Sequence, residues 1–177
     1  MKIMKRLGIA VLIFLIVISV VGMFFPSKVE IERSIVINAP AKNVFEKVNV
    51  LKKWEEWSPW EKMDPEMKNI YNDIPSGKGA SFSWKGPKSG EGSLLILESY
   101  IDSLIITDLE FKGEGHADSE FRFTPLSEEN TKVSWSFKCD VGNNPFIRIF
   151  RSIGSSMMKE SFDEGLKTIK LISEENK

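Results

Sequence analysis

Cysteine and histidine are nearly missing: among 177 residues there is one of each, Cys139 and His116. A lone cysteine excludes an internal disulfide and every Cys-rich zinc motif, and a lone histidine excludes His-pair metal motifs. Basic charge is not in excess either, with Lys+Arg at 24 against Asp+Glu at 25 and a formal net charge of −1. A nucleic-acid binder shows a basic stripe and a high pI, so nucleic acid is not an expected partner. Internal repeats and low-complexity tracts are absent from the sequence. No metal and no cofactor is expected. What is present is apolar material, 42% hydrophobic beside 28% charged residues. That composition and length suit one packed domain of about 100–200 residues with an appendage.

The appendage is legible. Residues 7–25, LGIAVLIFLIVISVVGMFF, run without a charge. As a helix rising 1.5 Å per residue they span roughly 28 Å, close to a hydrocarbon core of about 30 Å. Fourteen of them are Leu, Ile, Val or Phe. At about 0.3–0.6 kcal/mol each, their sum of roughly 4–8 kcal/mol favours insertion. Lys2, Lys5 and Arg6 precede the run. The expectation is therefore a single-pass membrane protein whose residues 1–6 stay in the cytoplasm while the rest crosses to the extracytoplasmic side. The alternatives are a cleaved signal peptide and a soluble helix. A signal peptide has an apolar region of about 7–15 residues and an A-x-A-like site. Val20-Val21-Gly22 makes a poor cleavage site, and no cysteine follows to which a lipid could attach. Without residues 1–6 the chain has 21 basic and 25 acidic residues, about −4, so a second, electrostatic contact with anionic lipid is not expected.

Only Pro26, Ser27 and Lys28 lie between this run and the first strand signal, so the body must sit against the bilayer surface. Val29, Ile31, Arg33, Ile35 and Ile37 alternate with polar residues, the period of a half-buried strand, with Arg33 the exception on the inward phase. Asn38-Ala39-Pro40 stops it. Val44, Phe45, Val48 and Leu51 then follow at helical spacing. In the Trp-rich stretch WEEWSPWEKMDPEM, Trp54 and Trp57 can share a helical face, and Pro59 is expected to end any helix there. From Lys68 onward strands are expected at 68–74, 80–85, 92–100, 103–112, 116–125 and 131–141, divided by Gly/Pro/Asn/Asp/Ser breaks. The last three breaks are short enough for hairpins, which predicts an antiparallel meander. Inward-phase residues include Phe121 and Phe123, then Val133, Trp135, Phe137, Cys139 and Val141. Residues 144–173 close the chain as one helix, with Asn144 as N-cap and Pro145 in the first helical position. Its apolar stripe is Phe146, Ile149, Phe150, Ile153, Met157, Met158, Phe162, Leu166, Ile169 and Ile172. Such a stripe must be buried, and the concave side of a curled sheet is the surface at hand.

This order and four strings resemble the START-like SRPBCC superfamily, particularly its membrane-anchored polyketide cyclase/dehydrase-like members. The strings are ERSIVINAPAKNVFEKV at 32–48, WEEWSPW at 54–60, GKGASFSWKG at 77–86 and GEGSLLILE at 90–98. The resemblance covers residues 29–173. It implies an α+β helix-grip fold, a curved antiparallel β-sheet wrapped around the long C-terminal α-helix with an apolar cavity between them, preceded here by the membrane helix. It also implies a hydrophobic small molecule or lipid as partner, with cyclisation or hydrolysis in some members. No catalytic signature is shared, so no catalytic residue is carried over, and fold alone does not give function.

Candidate cavity or lid residues follow from the aromatic supply: Trp54, Trp57, Trp60, Phe82, Trp84, Phe111, Phe121, Phe123 and Trp135. Pockets are mostly apolar with a few polar groups. Ordinary core packing is the plain alternative for each ring. Trp54, Trp57 and Trp60 suit a mouth or lid, or a place at the membrane interface. Phe150, Met157, Met158 and Phe162 on the gripping helix suit an adaptable wall, or equally a core. Arg33 is the polar cavity candidate, holding a ligand carboxylate or pairing with a structural acid such as Glu98 or Glu110. His116 with Asp118 and Glu120 reads as a solvent-facing cluster with no partnered nucleophile. Cys139 reads as a buried, inert thiol, and Asp64, Glu66, Glu55 and Glu56 as solvated loop charges. Three functions stay open: a tethered hydrophobic-ligand binder, a cyclase or dehydratase in the same cavity, and a protein-interaction module whose cavity is filled by its own side chains.

Overall fold

The computed structural model describes residues 2–175, with the side chains of Lys2 and Ile153 outside that description. An N-terminal helix, α1 (Lys2–Met23), leads into strand β1 (Lys28–Ile37). Three short helices follow, α2 (Ala41–Asn49), α3 (Trp54–Trp57) and α4 (Pro59–Met63), with a 3-10 turn at Leu51–Lys53. Six strands come next: β2 (Lys68–Tyr71), β3 (Ser81–Gly86), β4 (Gly90–Tyr100), β5 (Leu104–Phe111), β6 (Gly115–Ser127) and β7 (Asn130–Asp140). The long helix α5 (Pro145–Glu174) ends the description.

The seven strands form one sheet in the order β1-β7-β6-β5-β4-β3-β2, antiparallel throughout. The meander expected from the turn residues runs from β2 to β7, and β1 pairs with β7 in a register that sets Ile31 opposite Phe137. A register shift between Ile96 and Glu98 interrupts the β4–β5 ladder. Such bulges bend a strand and increase its twist, which helps the sheet curl. β2 stops at Tyr71 rather than at 74 because the Asn72 side chain takes over: its Oδ1 accepts from the Ile74 and Ser81 amides.

Two local expectations are corrected. Pro59 does not simply end the Trp-rich helix. It occupies the first turn of a new helix, α4, where its missing N–H costs nothing. The apolar stripe of α5 is not buried along its whole length either. Asn144 caps the helix through Oδ1, which accepts from the Phe146 amide at 3.0 Å. Phe162, Leu166 and Ile169 are buried against the sheet, whereas Phe146, Phe150 and Met157 in the first half stand exposed. Ile153 belongs to the same stripe but lies outside the described side chains.

α1 is long and apolar enough to cross a membrane over Ile3–Met23, roughly 31 Å at 1.5 Å per residue, and its side chains face away from the rest of the protein. It is shorter at its end than residues 7–25 suggest: Phe24 and Phe25 lie in a turn after the helix, their amides bonded to Val21 O and Gly22 O.

Candidate functional site

The concave face of the sheet and the middle of α5 flank a hollow of about 230 Å³. Strands β3 to β7 supply one wall through Phe82, Trp84, Leu94, Leu109, Phe111, Ser119, Trp135 and Phe137. α5 closes the opposite side with Met158 and Phe162, and the short helices give Trp54, Trp60 and Met63. The polar groups of the lining are few: Ser58, Glu61, Lys88, Ser89 and Ser119.

The aromatic residues expected at a cavity divide into two groups. Trp54, Trp60, Phe82, Trp84, Phe111, Trp135, Met158 and Phe162 line the hollow. Trp57, Phe121 and Phe123 do not. They are buried behind that wall, where Phe121 stacks on Trp135 with centroids 4.7 Å apart and Trp57 meets Trp135 edge-on at 5.7 Å. Burial also removes Trp54 and Trp57 from any place at a membrane surface. Phe150 and Met157 lie outside the hollow, 74% and 73% exposed. Phe137, on the inward phase expected of its strand, also lines the hollow, as do Met63, Met67, Leu94 and Leu109, which periodicity alone does not single out.

The wall is rigid for a physical reason. Trp135 stacks face to face on Phe162 with a 3.8 Å centroid separation, pinning α5 to β7. Its indole N–H, buried with the ring, donates to Ser119 Oγ at 2.9 Å. Trp54 and Trp57 donate theirs to Val48 O and Lys47 O, so these rings hold α3 against α2 without leaving a polar group unpaired. Gly92 sits opposite Trp84 in the β3–β4 ladder, and a Cβ there would come within 2.2 Å of the Trp84 ring. The indole lies where a side chain would otherwise stand.

Arg33 is placed elsewhere than the cavity. Its guanidinium makes a two-pronged pair with Asp163 on α5, Nε donating to Oδ1 at 2.7 Å. Neither Glu98 nor Glu110 is its partner; Glu98 pairs with Lys78. The hydrogen bonds from Arg33 hold the Asp163 carboxyl below the usual carboxylate range. With side-chain exposures of 41% and 33%, the pair is a solvent-screened surface contact that adds little to stability. It ties the helix to β1, and neither residue lines this hollow. His116 pairs with Asp108 across the β5–β6 ladder at 3.2 Å, on the exposed face. Cys139 is half-buried rather than fully buried, and burial pushes its thiol up.

Asp64 overturns the reading of a solvated loop charge, for it is 1% exposed. Its Oδ2 accepts from the Lys88 amide, the Ser89 amide and the Ser89 hydroxyl, at 2.9, 2.8 and 2.8 Å. This ties the end of α4 to the β3–β4 hairpin. Burial works against its charge. The Ser89 amide and hydroxyl, the Lys88 amide and the Lys88 charge outweigh that, so the carboxyl is held below its ordinary value. A carboxyl depressed in the folded state stabilises above its unfolded pKa of about 3.9 and loses that contribution as pH falls through the folded value. Asp64→Asn should therefore lower the denaturant midpoint at neutral pH. The gap to the parent should close as the medium is acidified through the unfolded value and then through the lower folded one. A pH-independent gap would show that the charge is not what matters.

The family described as polyketide cyclase/dehydrase and lipid transport matches residues 28–174. Protein CV1439 from Chromobacterium violaceum is similar in structure, with a TM-score of 0.58 and 16% identity over 84% of this chain and 99% of its own. The di-domain aromatase/cyclase StfQ of the steffimycin biosynthetic pathway gives a TM-score of 0.62 and 12% identity over 84% of this chain and 52% of its own. The Zhui aromatase/cyclase from Streptomyces sp. R1128 gives 0.56 and 14% over 83% and 94%. At these identities the likeness is one of fold. No curated protein matches by sequence. The curved seven-stranded sheet, the gripping helix and the match over nearly the whole body lead to one statement: this chain belongs to the polyketide cyclase/dehydrase and lipid transport family and has its helix-grip fold.

Proposed function

We propose that this protein binds a hydrophobic small molecule or a single lipid chain in the hollow between sheet and α5. In this reading α1 anchors it in a membrane, with the basic N-terminus cytoplasmic and the body on the extracytoplasmic side. The observation that carries the proposal is an apolar hollow between sheet and helix with few polar groups in its lining. Its volume of about 230 Å³ lies under the ~300–1,000 Å³ of drug-sized pockets, which suits a slim chain or one ring better than a flat polycycle. Open volume of this size also weighs against a cavity filled by its own side chains. The anchor is supported by the length and exposure of α1.

A second reading, a cyclase or dehydratase working in the same hollow, is favoured by Glu61. It is the acid in the wall, and its carboxylate accepts from Asn69 Nδ2 at 2.5 Å. Glu61→Gln separates the two: unchanged ligand occupancy with abolished turnover would mark an enzyme.

The test of the binding proposal is solvent extraction of full-length protein purified in mild detergent, followed by mass spectrometry. An apolar molecule in constant ratio to the protein, above an empty-membrane control, is expected. Nothing beyond that control would contradict the proposal.

A further inference from the structure

A second hollow, of about 330 Å³, adjoins the first, and Phe111 and Phe137 line both. Its remaining walls are the β5–β6 turn, the end of β7 and the first half of α5 through Ile147, Phe150 and Arg151. Val141 in its wall donates its amide to Ser27 O, four residues past the end of α1. Gly22 packs on Pro145 so closely that a Cβ there would meet it at 2.5 Å. Arg148 donates to Gly142 O at 2.9 Å and reaches Met23 O and Phe25 O at 3.5 Å. The start of α5 is thus seated on the end of the membrane-length helix. Around the same spot stand exposed apolar side chains, Phe24 at 85% and Phe150 at 74%, a costly display in water and a natural one against lipid. Arg151 pairs with Glu114 across this hollow. Glu114 is carried between Gly113 and Gly115, whose φ values of +80° and +105° favour glycine.

We propose that this second hollow is a membrane-side doorway: an acyl chain from the bilayer holding α1 passes through it, between Phe111 and Phe137, into the main cavity. The Arg151–Glu114 pair is its latch. The inference rests on the binding and anchoring proposed above and adds the ligand's source and route. It also answers the small size of the main hollow, because the second more than doubles the room for a chain.

The test uses the full chain in phosphatidylcholine vesicles doped with dansyl-undecanoic acid. Glu114→Cys and Arg151→Cys are introduced in a Cys139→Ser background and bridged by a short, reducible bis-methanethiosulfonate linker. Occupancy is read as energy transfer from the cavity tryptophans to dansyl, with Leu109→Trp protein as the blank. The bridge should slow occupancy by about tenfold or more, a barrier rise of roughly 1.4 kcal/mol, and reduction of the same sample should restore the rate. Equal rates before and after reduction would overturn the doorway while leaving the cavity reading intact. No transfer above the blank in either state would overturn both. The single variant Arg151→Ala, free of any bridge, should load faster than the parent; slower or equal loading contradicts the latch.

Discussion

Trp135→Ala should remove about 3–5 kcal/mol of unfolding free energy, a large share of the roughly 5–15 kcal/mol that holds a domain together. Trp135 is 2% exposed and sits at the centre of the ring cluster. It stacks on Phe162 at 3.8 Å and on Phe121 at 4.7 Å, and Trp57 and Trp60 meet it edge-on at 5.7 and 5.8 Å. Alanine would remove all four ring contacts together, leave the Ser119 hydroxyl without its indole donor, and release α5 from β7. Guanidinium unfolding of the full chain in detergent, followed by far-UV circular dichroism, measures this. A loss under about 1 kcal/mol would mean the helix is held elsewhere, by Leu166, Ile169 and the Arg33–Asp163 pair.

Leu109→Trp should do the reverse, sparing the fold and emptying the site. Leu109 is half-buried on β5, flanked across the ladder by Leu94 and Ala117, and faces the hollow. An indole there would occupy the space a guest needs. Overpacking a filled core costs about 1–3 kcal/mol, but here void is at hand, so the cost should fall at or below the bottom of that range. Affinity for an apolar probe should drop about a hundredfold, roughly 2.7 kcal/mol. Isothermal titration beside a thermal melt separates the two effects. Retained affinity in a stably folded variant would place the guest outside this hollow.

How far these residues could be read in advance depended on the range of the interaction involved. Period-2 alternation and turn residues located the strands, and Asn144-Pro145 marked the start of α5, because these signals are local. Trp54 and Trp60 lie in the cavity wall while Trp57 lies behind it. They are three residues apart, and one helical turn cannot decide which side of a wall a ring occupies. Leu94 and Leu109 escaped notice because Leu94-Leu95-Ile96-Leu97 and Leu104-Ile105-Ile106 put apolar residues on both phases of their strands. Asp163 as the partner of Arg33 lies 130 residues away, and the donors to Asp64 come from a hairpin that only folding brings near. Asp-Pro-Glu in isolation looks like any solvated loop. Phe150 and Met157 followed the helical stripe faithfully, but the sheet is too short to cover the whole of α5, so the stripe outran its partner.

The most direct measurement is anomalous diffraction from crystals of the protein grown with 10-bromodecanoic acid. If the concave face is a binding site, a bromine peak should appear among Leu109, Trp135 and Phe162. Bromine found only on the protein surface, with those rings still enclosing empty space, would contradict it.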